Sequence, residues 1–547
     1  MTPERAHALL NRAEALLSTG LVREANAVLR AAVTARLPEA LLLAARCALR
    51  DDDVIAARAL AAEAEASSRA EDRPFLVPVA RALALRAGAP GSAGCGAPGS
   101  ASAVAAACDE QGHHDDAAEL RLALAPEEAA ARRHRGTARS RAVGWLARAR
   151  LATSRRDAVA ACRAGLALTD TPAPAHTLTD TRGDLVDIAL DHALTSRDAR
   201  AALHWGERRR AAPPAPTPEV GEVRAELRLA RVRGEHDRIA YLEREVRRLS
   251  FAAGATRDPA VPLPDVVGAL GDRALLMFIS HRGRLVAVSV AGGRVRLHDC
   301  GDARTAARHV RAISLATASP AVAGPPGTGS AAPHAVAALD GLLRPAGERE
   351  LVIVPSPELA RVPWAALPSA RGRAVSVAPS ASCWSRAASR PLALDKRLWV
   401  AGPDLRHAWR EVEALQQLHG GWFRSAVDDV LTAMAHVDVA HIAAHGVRQD
   451  ELFSYLQLDD GPLHGHDLDD LTKVPPIVVL SACESGLARI LLRRGARVVV
   501  ESVRPVPDDR VVDLMIDLHA GLKHPAQALA DAQARHGDLG FVCVGAG

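Results

Sequence analysis

The spacing of apolar positions changes near residue 260, and this change divides the chain into two unlike halves. Residues 1–250 are rich in alanine, leucine and arginine, and their apolar positions recur every three or four residues, which predicts helix after helix. In residues 266–547, short runs of mostly β-branched residues alternate with helical stretches. The pattern predicts an all-α region followed by an α/β domain.

The helical half contains a weak internal repeat. Ala13 and Ala25 are matched by Ala45 and Ala57 at an offset of 32 residues. Small residues at such positions let paired helices pack closely. The arrangement resembles degenerate tetratricopeptide repeats, whose period is about 34 residues. An irregular alanine-rich bundle is the alternative.

Two low-complexity stretches interrupt the helical pattern. GAPGSAGCGAPGSAS (88–102) consists of small residues and predicts a flexible loop. AAPPAPTP (211–218) predicts a stiff proline-rich break.

The second half predicts a largely parallel sheet. Its first strands, within ALLMFISHRGRLVAVSVAGGRVRLHD, are expected to be antiparallel, with turns at HRGR and AGGR. Near-continuous apolar runs, typical of strands buried on both faces, then occupy 351–355, 398–403, 437–445, 476–483 and 497–503. Helical stretches lie between these runs. In such folds the functional site lies beyond the carboxyl ends of the strands.

Composition and charge narrow the function classes. Hydrophobic residues make up 48% and charged residues 24% of the chain, which is typical of folded globular proteins and excludes wholesale disorder. The sum of Lys and Arg, 68, is nearly balanced by 64 Asp and Glu, so the formal net charge is only +4. A dedicated nucleic-acid binder concentrates positive charge, so we expect no direct nucleic-acid partner.

Neither a membrane segment nor a cysteine framework is predicted. No apolar stretch is long enough to cross a bilayer, and MTPERAHALLNRAEALL lacks the apolar core of a signal peptide. We therefore expect a cytoplasmic protein with no membrane partner. The eight cysteines are scattered and none forms a CxxC pair, so we predict neither a zinc site nor disulfides.

Two chemically complementary side chains end two of the predicted strands. His445 ends the run 437–445, and Cys483 ends the run 476–483. If the two strands are neighbours, the imidazole and the thiol converge at one sheet edge. The thiolate is the attacking form of cysteine, and a nearby histidine can take its proton and later protonate a leaving amine. The pair is the minimum needed for catalysis by a thiol nucleophile.

Acyl transfer also needs donors for the developing oxyanion. The backbone N–H groups of Gly446 and Cys483 are the candidates for this oxyanion hole. Gly446 has no side chain, which lets a substrate approach the backbone.

These residues lie in segments that resemble a known family. HIAAHG (441–446) and VVLSACESG (478–486) resemble the paired signatures of the CHAT family, which comprises bacterial caspase-like and separase-like cysteine peptidases often joined to tetratricopeptide repeats. Further segments resemble that family in the same order: LVIVPSPELARVPWAAL, VAPSAS, VAGPDLRHAWREVEAL, GARVVVESVRPVPDD, HPAQALADAQ and FVCVGAG. The resemblance covers residues 266–547.

The resemblance implies a caspase-like fold and a cysteine endopeptidase that needs no cofactor. His445 is then the catalytic base and Cys483 the nucleophile. The substrate is expected to be a protein, and the helical half is expected to bind a regulatory protein partner. The alternatives are a catalytically inactive scaffold that binds proteins through its helices, and an enzyme that cleaves only itself, in the loop 88–102.

Two departures from the family pattern concern the substrate pocket. The segment after the cysteine, ESGLARILLRRGARVVV, is short and lacks the usual loop with an acidic residue. Arg504 stands where the family usually has tryptophan. It could favour an acidic substrate side chain, but an ion pair with Glu501 or Asp508 is the favoured interpretation. Glu484 either lines the pocket or forms a salt bridge, so Glu484, Glu501 and Arg504 are the pocket candidates.

The remaining histidines do not predict a metal site. His441 and His445 have the spacing of the HExxH zinc motif, but no glutamate follows His441 and a strand holds the two far apart. His464 and His466 flank a glycine in GPLHGHDLDD and are interpreted as solvated loop residues.

Overall fold

A computed structural model describes most of the chain. The described residues are 9–14, 17, 22–88, 98–131, 137–169, 179–210, 218–252, 260–318, 331–449 and 451–547. Residues 89–97 of the predicted loop 88–102, and residues 211–217 of the proline-rich break, lie outside them. Residues 98–102 begin a helix.

The chain forms two compact units. The first comprises Met1–His192 and Ala212–Asp258, and the second comprises Ala193–Ala211 and Pro259–Gly547. The described part of the first unit is helical, as the apolar spacing predicts. Its helices are α1 Val22–Thr34, α2 Pro38–Arg50, α3 Val54–Ala70, α4 Val77–Arg86, α5 Pro98–Glu110, α6 His114–Leu124, α7 Pro126–Ala131, α8 Ala138–Leu151, α9 Arg155–Thr169, α10 Thr179–Thr195, α12 Pro218–Val232 and α13 His236–Ala252.

Helices of the first unit pack on their neighbours in sequence and on the next but one. Thus α2 contacts α3 and α4, while α4 contacts α5 and α6. The alanines of the weak repeat, Ala13, Ala25, Ala45 and Ala57, are all fully buried. Small buried side chains at these positions permit close packing of helices.

The second unit is built on an eleven-stranded sheet. Its order is β3-β2-β1-β4-β5-β14-β13-β12-β8-β6-β7. The strands are β1 Ala274–His281, β2 Arg284–Ala291, β3 Arg294–Asp302, β4 Leu351–Val354, β5 Val375–Val377, β6 Arg397–Ala401, β7 Trp422–Arg424, β8 Val439–Ala443, β12 Ile477–Ser481, β13 Val498–Ser502 and β14 Phe541–Gly545. The predicted hairpins β1–β2 and β2–β3 are antiparallel, as is β13–β14, and the other pairs are parallel. The mostly parallel sheet is therefore confirmed.

Helices cover both faces of the parallel part of this sheet. The helices of the unit are α11 Ala199–Arg210, α14 Leu263–Leu270, α15 Ala303–Ala318, α16 Ala331–Asp340, α17 Ala381–Ala388, α18 Ala408–His419, α19 Val427–Met434, α20 Gly465–Asp469, α21 Ala488–Arg494, α22 Val511–Ala520 and α23 Pro525–His536. Helices α18, α22 and α23 bury one set of strand side chains. Helices α19, α20 and α21 bury the alternate set. Because both sets are buried, the strands need the near-continuous apolar runs seen in the sequence.

Helix α11 belongs to the second unit, although the apolar spacing places it in the helical half. It packs on β1, β2 and β3. The carboxylate of Glu207 accepts hydrogen bonds from the backbone N–H groups of Ala381 and Ser382 at 2.8 and 2.9 Å, and from the Ser382 hydroxyl at 2.6 Å. A carboxylate at the first turn of α17 is stabilised by the positive end of that helix. Glu207 thereby fixes α11 to the VAPSAS segment.

A second, smaller sheet extends from the end of β8. It contains β9 His445–Val447, β10 Tyr455–Leu458 and β11 Gly461–His464, all antiparallel, with β10 in the centre. Helix α20 follows β11 directly. Among the described residues, no helix is both long and apolar enough to span a membrane.

Candidate active site

The strands that precede His445 and Cys483 are neighbours in the main sheet. Strand β8 pairs with β12 in parallel, and Ala443 lies opposite Ser481 at the carboxyl ends. His445 and Cys483 each lie two residues beyond this last pair, so the two residues leave the sheet at the same level. The condition that the sequence analysis set for the two residues to converge, neighbouring strands, is therefore met.

Gly446 lies directly against the backbone of Cys483. A Cβ atom at position 446 would stand 2.1 Å from the carbonyl oxygen of Cys483 and 3.2 Å from its carbonyl carbon. No side chain fits in this space without a shift of the backbone. The glycine therefore permits the close contact between the two candidate segments.

The Cys483 thiol is half-buried and has one hydrogen bond from the backbone. The N–H of Val506 donates to Sγ at 3.3 Å. Val506 follows β13, the other neighbour of β12. The segments that follow β12 and β13 thus meet at the sulfur.

His445 is exposed at the start of β9, where it lies opposite Gln457 of β10. Within the described part of the chain, the imidazole forms no hydrogen bond or ion pair, with Sγ or with any other group. The structure brings His445 and Cys483 to adjacent strand ends and leaves the imidazole ring facing solvent.

A tight turn follows Cys483. Glu484 has a positive φ of 26° and Gly486 a φ of 67°, so two of the three residues after the thiol lie in the left-handed region. A non-glycine residue there is strained and must be held by its surroundings. Glu484 forms an ion pair with Arg361, which is the salt bridge that the sequence offered as one of two roles for this residue.

Glu501 forms a hydrogen bond with this turn. Its carboxylate accepts a hydrogen bond from Ser485 Oγ at 3.3 Å, and Ser485 is fully buried. Burial raises the pKa of the Glu501 carboxyl, while the backbone N–H of Ala488 and the charge of Arg448 act in the opposite direction. Glu501 therefore connects β13 to the segment between Cys483 and α21.

The favoured interpretation of Arg504 is wrong. Its guanidinium forms an ion pair with Asp538 at 2.8 Å, and not with Glu501 or Asp508. Burial raises the pKa of Asp538, and the charge of Arg504 lowers it. Asp508 instead accepts a hydrogen bond from the backbone N–H of His407 at 3.0 Å. Arg504 could not be matched to Asp538 from the sequence, because the contact depends on the pairing of β13 with β14.

A buried polar cluster that the sequence did not reveal lies on the α18/α22 face of β8. The ring of His441 contacts Glu411 Oε1 through Nε2 at 2.8 Å and His519 Nε2 through Nδ1 at 3.1 Å. All three side chains are at most 2% exposed. Since a carboxylate accepts, Nε2 of His441 carries a hydrogen. His441 is therefore a core residue.

The interpretation of His464 and His466 as solvated is also wrong. Their exposed fractions are 7% and 0%. The glycine between them lies against α21, which draws both rings into the interior.

Comparisons with known proteins agree with this architecture. Residues 331–537 match the CHAT domain family. No curated protein matches the chain. Two crystal structures of the Saccharomyces cerevisiae separase–securin complex are similar to it. In the 3.0 Å structure the match covers 99% of this chain and 49% of the other at 10% identity, with a TM-score of 0.50. In the 2.6 Å structure it covers 99% and 50% at 10% identity, with a TM-score of 0.48.

This chain spans about half the length of the yeast chain that it matches. At 10% identity the likeness shows the fold alone. The family match is thus confined to residues 331–537, and the structural likeness shows a separase-like, caspase-like fold with an N-terminal helical region.

Proposed function

We propose that the chain is a cysteine endopeptidase in which Cys483 is the nucleophile and His445 the general base. The observation that carries this proposal is the register of β8 and β12, because it delivers an imidazole and a thiol to one sheet edge at the same level. The fold and the matched family support it.

In the proposed reaction, His445 accepts the thiol proton and Sγ attacks the scissile carbonyl carbon. The oxyanion that forms is bound by the backbone N–H groups of Gly446 and Cys483. The protonated imidazole then gives its proton to the leaving amine, and the C–N bond breaks. Water, deprotonated by His445, attacks the thioester and releases the acid product. No cofactor is required.

The step from the resting site to this reaction is a movement of the His445 ring toward the sulfur. Sγ accepts from Val506 N–H, and the His445 ring faces solvent. We infer that substrate binding brings the ring over Sγ, since catalytic hydrogen bonds often tighten only in the substrate complex. The Val506 donor then stabilises negative charge on the sulfur.

Among the pocket candidates, Glu484 is the one proposed to meet the substrate. Glu501 is held in the buried network with Ser485, and Arg504 is held by Asp538. Glu484 and its partner Arg361 keep exposed fractions of 20% and 47%.

We further propose that the helical unit binds a regulatory protein. It offers a cleft of about 800 Å³, whose lining includes Arg46, Arg139, Glu119 and Asp184. These charged side chains form ion pairs within the unit. The similar yeast structure is itself a complex of separase with securin.

A scaffold without activity is the second candidate. The observed site favours this candidate. The sulfur of Cys483 accepts a hydrogen bond from Val506 N–H, and no described residue forms a hydrogen bond with the His445 imidazole. The two candidates differ in one measurable property, the reactivity of Cys483.

The test is labelling with an electrophilic peptide probe, followed by proteomic cleavage profiling. We expect wild type to be labelled at Cys483, Cys483→Ala to lose the label, and His445→Ala to lose most of it. Cys383→Ala is the matched control, because Cys383 is a partly buried thiol of the same unit whose pKa is raised by burial. Labelling of wild type that is independent of His445, together with identical cleavage profiles for wild type and Cys483→Ala, would establish the scaffold.

A further inference from the structure

The turn between β11 and α20 places three potential metal ligands together. His464, His466 and Asp467 are 7%, 0% and 4% exposed. One ligand atom from each lies within 4.8 Å of the other two. Across the described ranges of the chain, this is the only set of three or more such side chains with that geometry.

The two imidazole rings are oriented toward the same carboxylate. They are stacked, with centroids 5.0 Å apart and an angle of 8° between the planes. Nδ1 of His466 is 3.2 Å from Asp467 Oδ1, and Nδ1 of His464 is 3.8 Å from Asp467 Oδ2. Nδ1 of His464 also lies 3.1 Å from the carbonyl oxygen of Pro462. A histidine that donates one ring N–H to a backbone carbonyl has the tautomer and orientation found in metal sites.

The backbone holds these side chains in place. A Cβ atom at Gly465 would stand 2.2 Å from the carbonyl oxygen of Glu451 and 2.8 Å from Ile490 Cδ1, so only glycine fits between the two histidines. The N–H groups of Gly465 and His466 donate to the carbonyls of Ser454 and Leu452, each at 2.8 Å. The ligands are thus fixed by backbone contacts before any ion arrives.

Helix capping accounts for only part of this arrangement. Asp467 Oδ2 accepts the backbone N–H of His464 at 3.0 Å, as the third residue of a capping box does. The residue at the N-cap of such a box is normally serine, threonine, aspartate or asparagine. The His464 side chain completes the box at the backbone of Asp467, but capping gives no role to the His466 ring, whereas a metal ion requires both rings.

We propose that His464, His466 and Asp467 bind one divalent transition-metal ion, with Zn²⁺ as the best match. Imidazole and carboxylate ligands suit zinc, and three protein ligands leave a fourth position for water. This site is distinct from Cys483 and His445, and its existence does not rest on the proposed peptidase activity.

The ion would stabilise elements that contact both candidate catalytic segments, the one with His445 and the one with Cys483. Strand β11 pairs with β10, which pairs with β9 and so with the strand of His445. On the other side, Asp469 of α20 binds Arg493 at 2.9 Å and Arg494 at 3.1 Å. These arginines belong to α21, which follows the Cys483 turn. A metal at the start of α20 therefore stabilises the frame between the two segments.

The test uses the full-length chain with Co²⁺ and Zn²⁺ as probes, in a Cys483→Ser background so that this thiol contributes no ligand. We expect one equivalent of Co²⁺ to produce a visible absorption band that Zn²⁺ abolishes, and Zn²⁺ to raise the melting temperature relative to EDTA. His464→Gln and His466→Gln should each weaken Zn²⁺ binding about 100-fold or more. Asp467→Asn keeps an acceptor for the cap and should weaken binding at least about tenfold.

The matched control removes a histidine pair elsewhere in the same unit. The rings of His309 and His334 lie 5.5 Å apart without a carboxylate in the set. The double variant His309→Gln, His334→Gln should leave the cobalt band and the zinc affinity unchanged. The proposal is overturned if the folded Cys483→Ser protein, verified by circular dichroism, gives no band, or if the band survives His464→Gln and His466→Gln. In that case the cluster is a helix cap alone.

Discussion

Two histidines four residues apart show how differently the interior of a strand and its end use one residue type. His441 lies inside β8, fully buried, with its ring held by Glu411 and His519. His445 lies beyond the end of β8, exposed, with no bond to its ring from any described residue. The ring of His441 is therefore fixed in the core, whereas the ring of His445 is exposed to solvent.

The difference follows from where helices can cover the sheet. Helices α18 and α22 pack over the middle of the strands, where an unpaired polar group is costly, so each imidazole there must have a partner. At the carboxyl ends the covering stops and the chain turns away. Position relative to the strand end, more than residue type, therefore separates a buried, hydrogen-bonded histidine from a solvent-exposed one.

The largest expected effect comes from removal of the imidazole at the strand end. His445→Ala should lower peptidase kcat/KM about 1,000-fold with little change in melting temperature, since general acid–base catalysis contributes on that scale. The exposed His436, which precedes β8, provides the matched variant His436→Ala, which should retain full activity. If His445→Ala retains activity, the exposed imidazole of His445 is not the general base.

The second effect concerns the imidazole inside the strand. His441→Ala should destabilise the fold by about 3 kcal/mol, because the carboxylate of Glu411, 1% exposed, loses its donor. Urea unfolding of the variant against His436→Ala measures the change. A loss below about 1 kcal/mol would show that the cluster does not depend on His441.

The contact between the two candidate segments gives the third prediction. Gly446→Ala should cost about 2 kcal/mol and lower activity, since the new methyl group meets the carbonyl of Cys483 and the backbone must shift. Gly268→Ala is the control, because a Cβ atom there has open space around it. Equal unfolding midpoints for the two variants would contradict the close approach.

Acid should lower the free energy of unfolding through the buried cluster of His441 and His519. Burial, and then the neighbouring His441, hold the pKa of His519 well below its usual value of 6.5. As the pH falls below about 6.5, the unfolded chain takes up a proton that folded His519 does not. The free energy of unfolding then decreases by up to about 1.4 kcal/mol per pH unit until the folded pKa is reached.

Urea unfolding at pH values between about 7 and 5.5 measures this slope. In His519→Gln, the part of the pH dependence that His519 contributes should disappear. A slope identical to that of wild type would show that another group is responsible. Trp399, whose ring centroid lies 5.2 Å from that of His519, provides a nearby fluorescence signal.

The smallest effect is expected at the ion pair between Arg361 and Glu484, in the turn that follows Cys483. Arg361→Ala should change stability by only about 0.5 kcal/mol, because Arg361 is 47% exposed and solvent screens the pair. Thermal unfolding checks this value. A loss above about 2 kcal/mol would mean that the pair holds the strained turn at Glu484.

The sequence alone determined the order of elements, and it placed the ends of β8 and β12 to within two residues. The runs 437–445 and 476–483 are apolar because both faces of β8 and β12 are covered, and each run ends where that covering ends. His445, Cys483 and Gly446 could therefore be placed at one sheet edge from spacing and from the family resemblance.

Tertiary structure alone decided which distant groups meet. The partners of Glu207, His441 and Arg504 come from segments that sheet order and helix covering bring together. The same packing buries His464 and His466, which the local sequence favours as solvated. Periodicity along a chain records how deeply each position is buried, whereas the identity of a buried group's partner depends on which strands and helices become neighbours, and local spacing does not encode that choice.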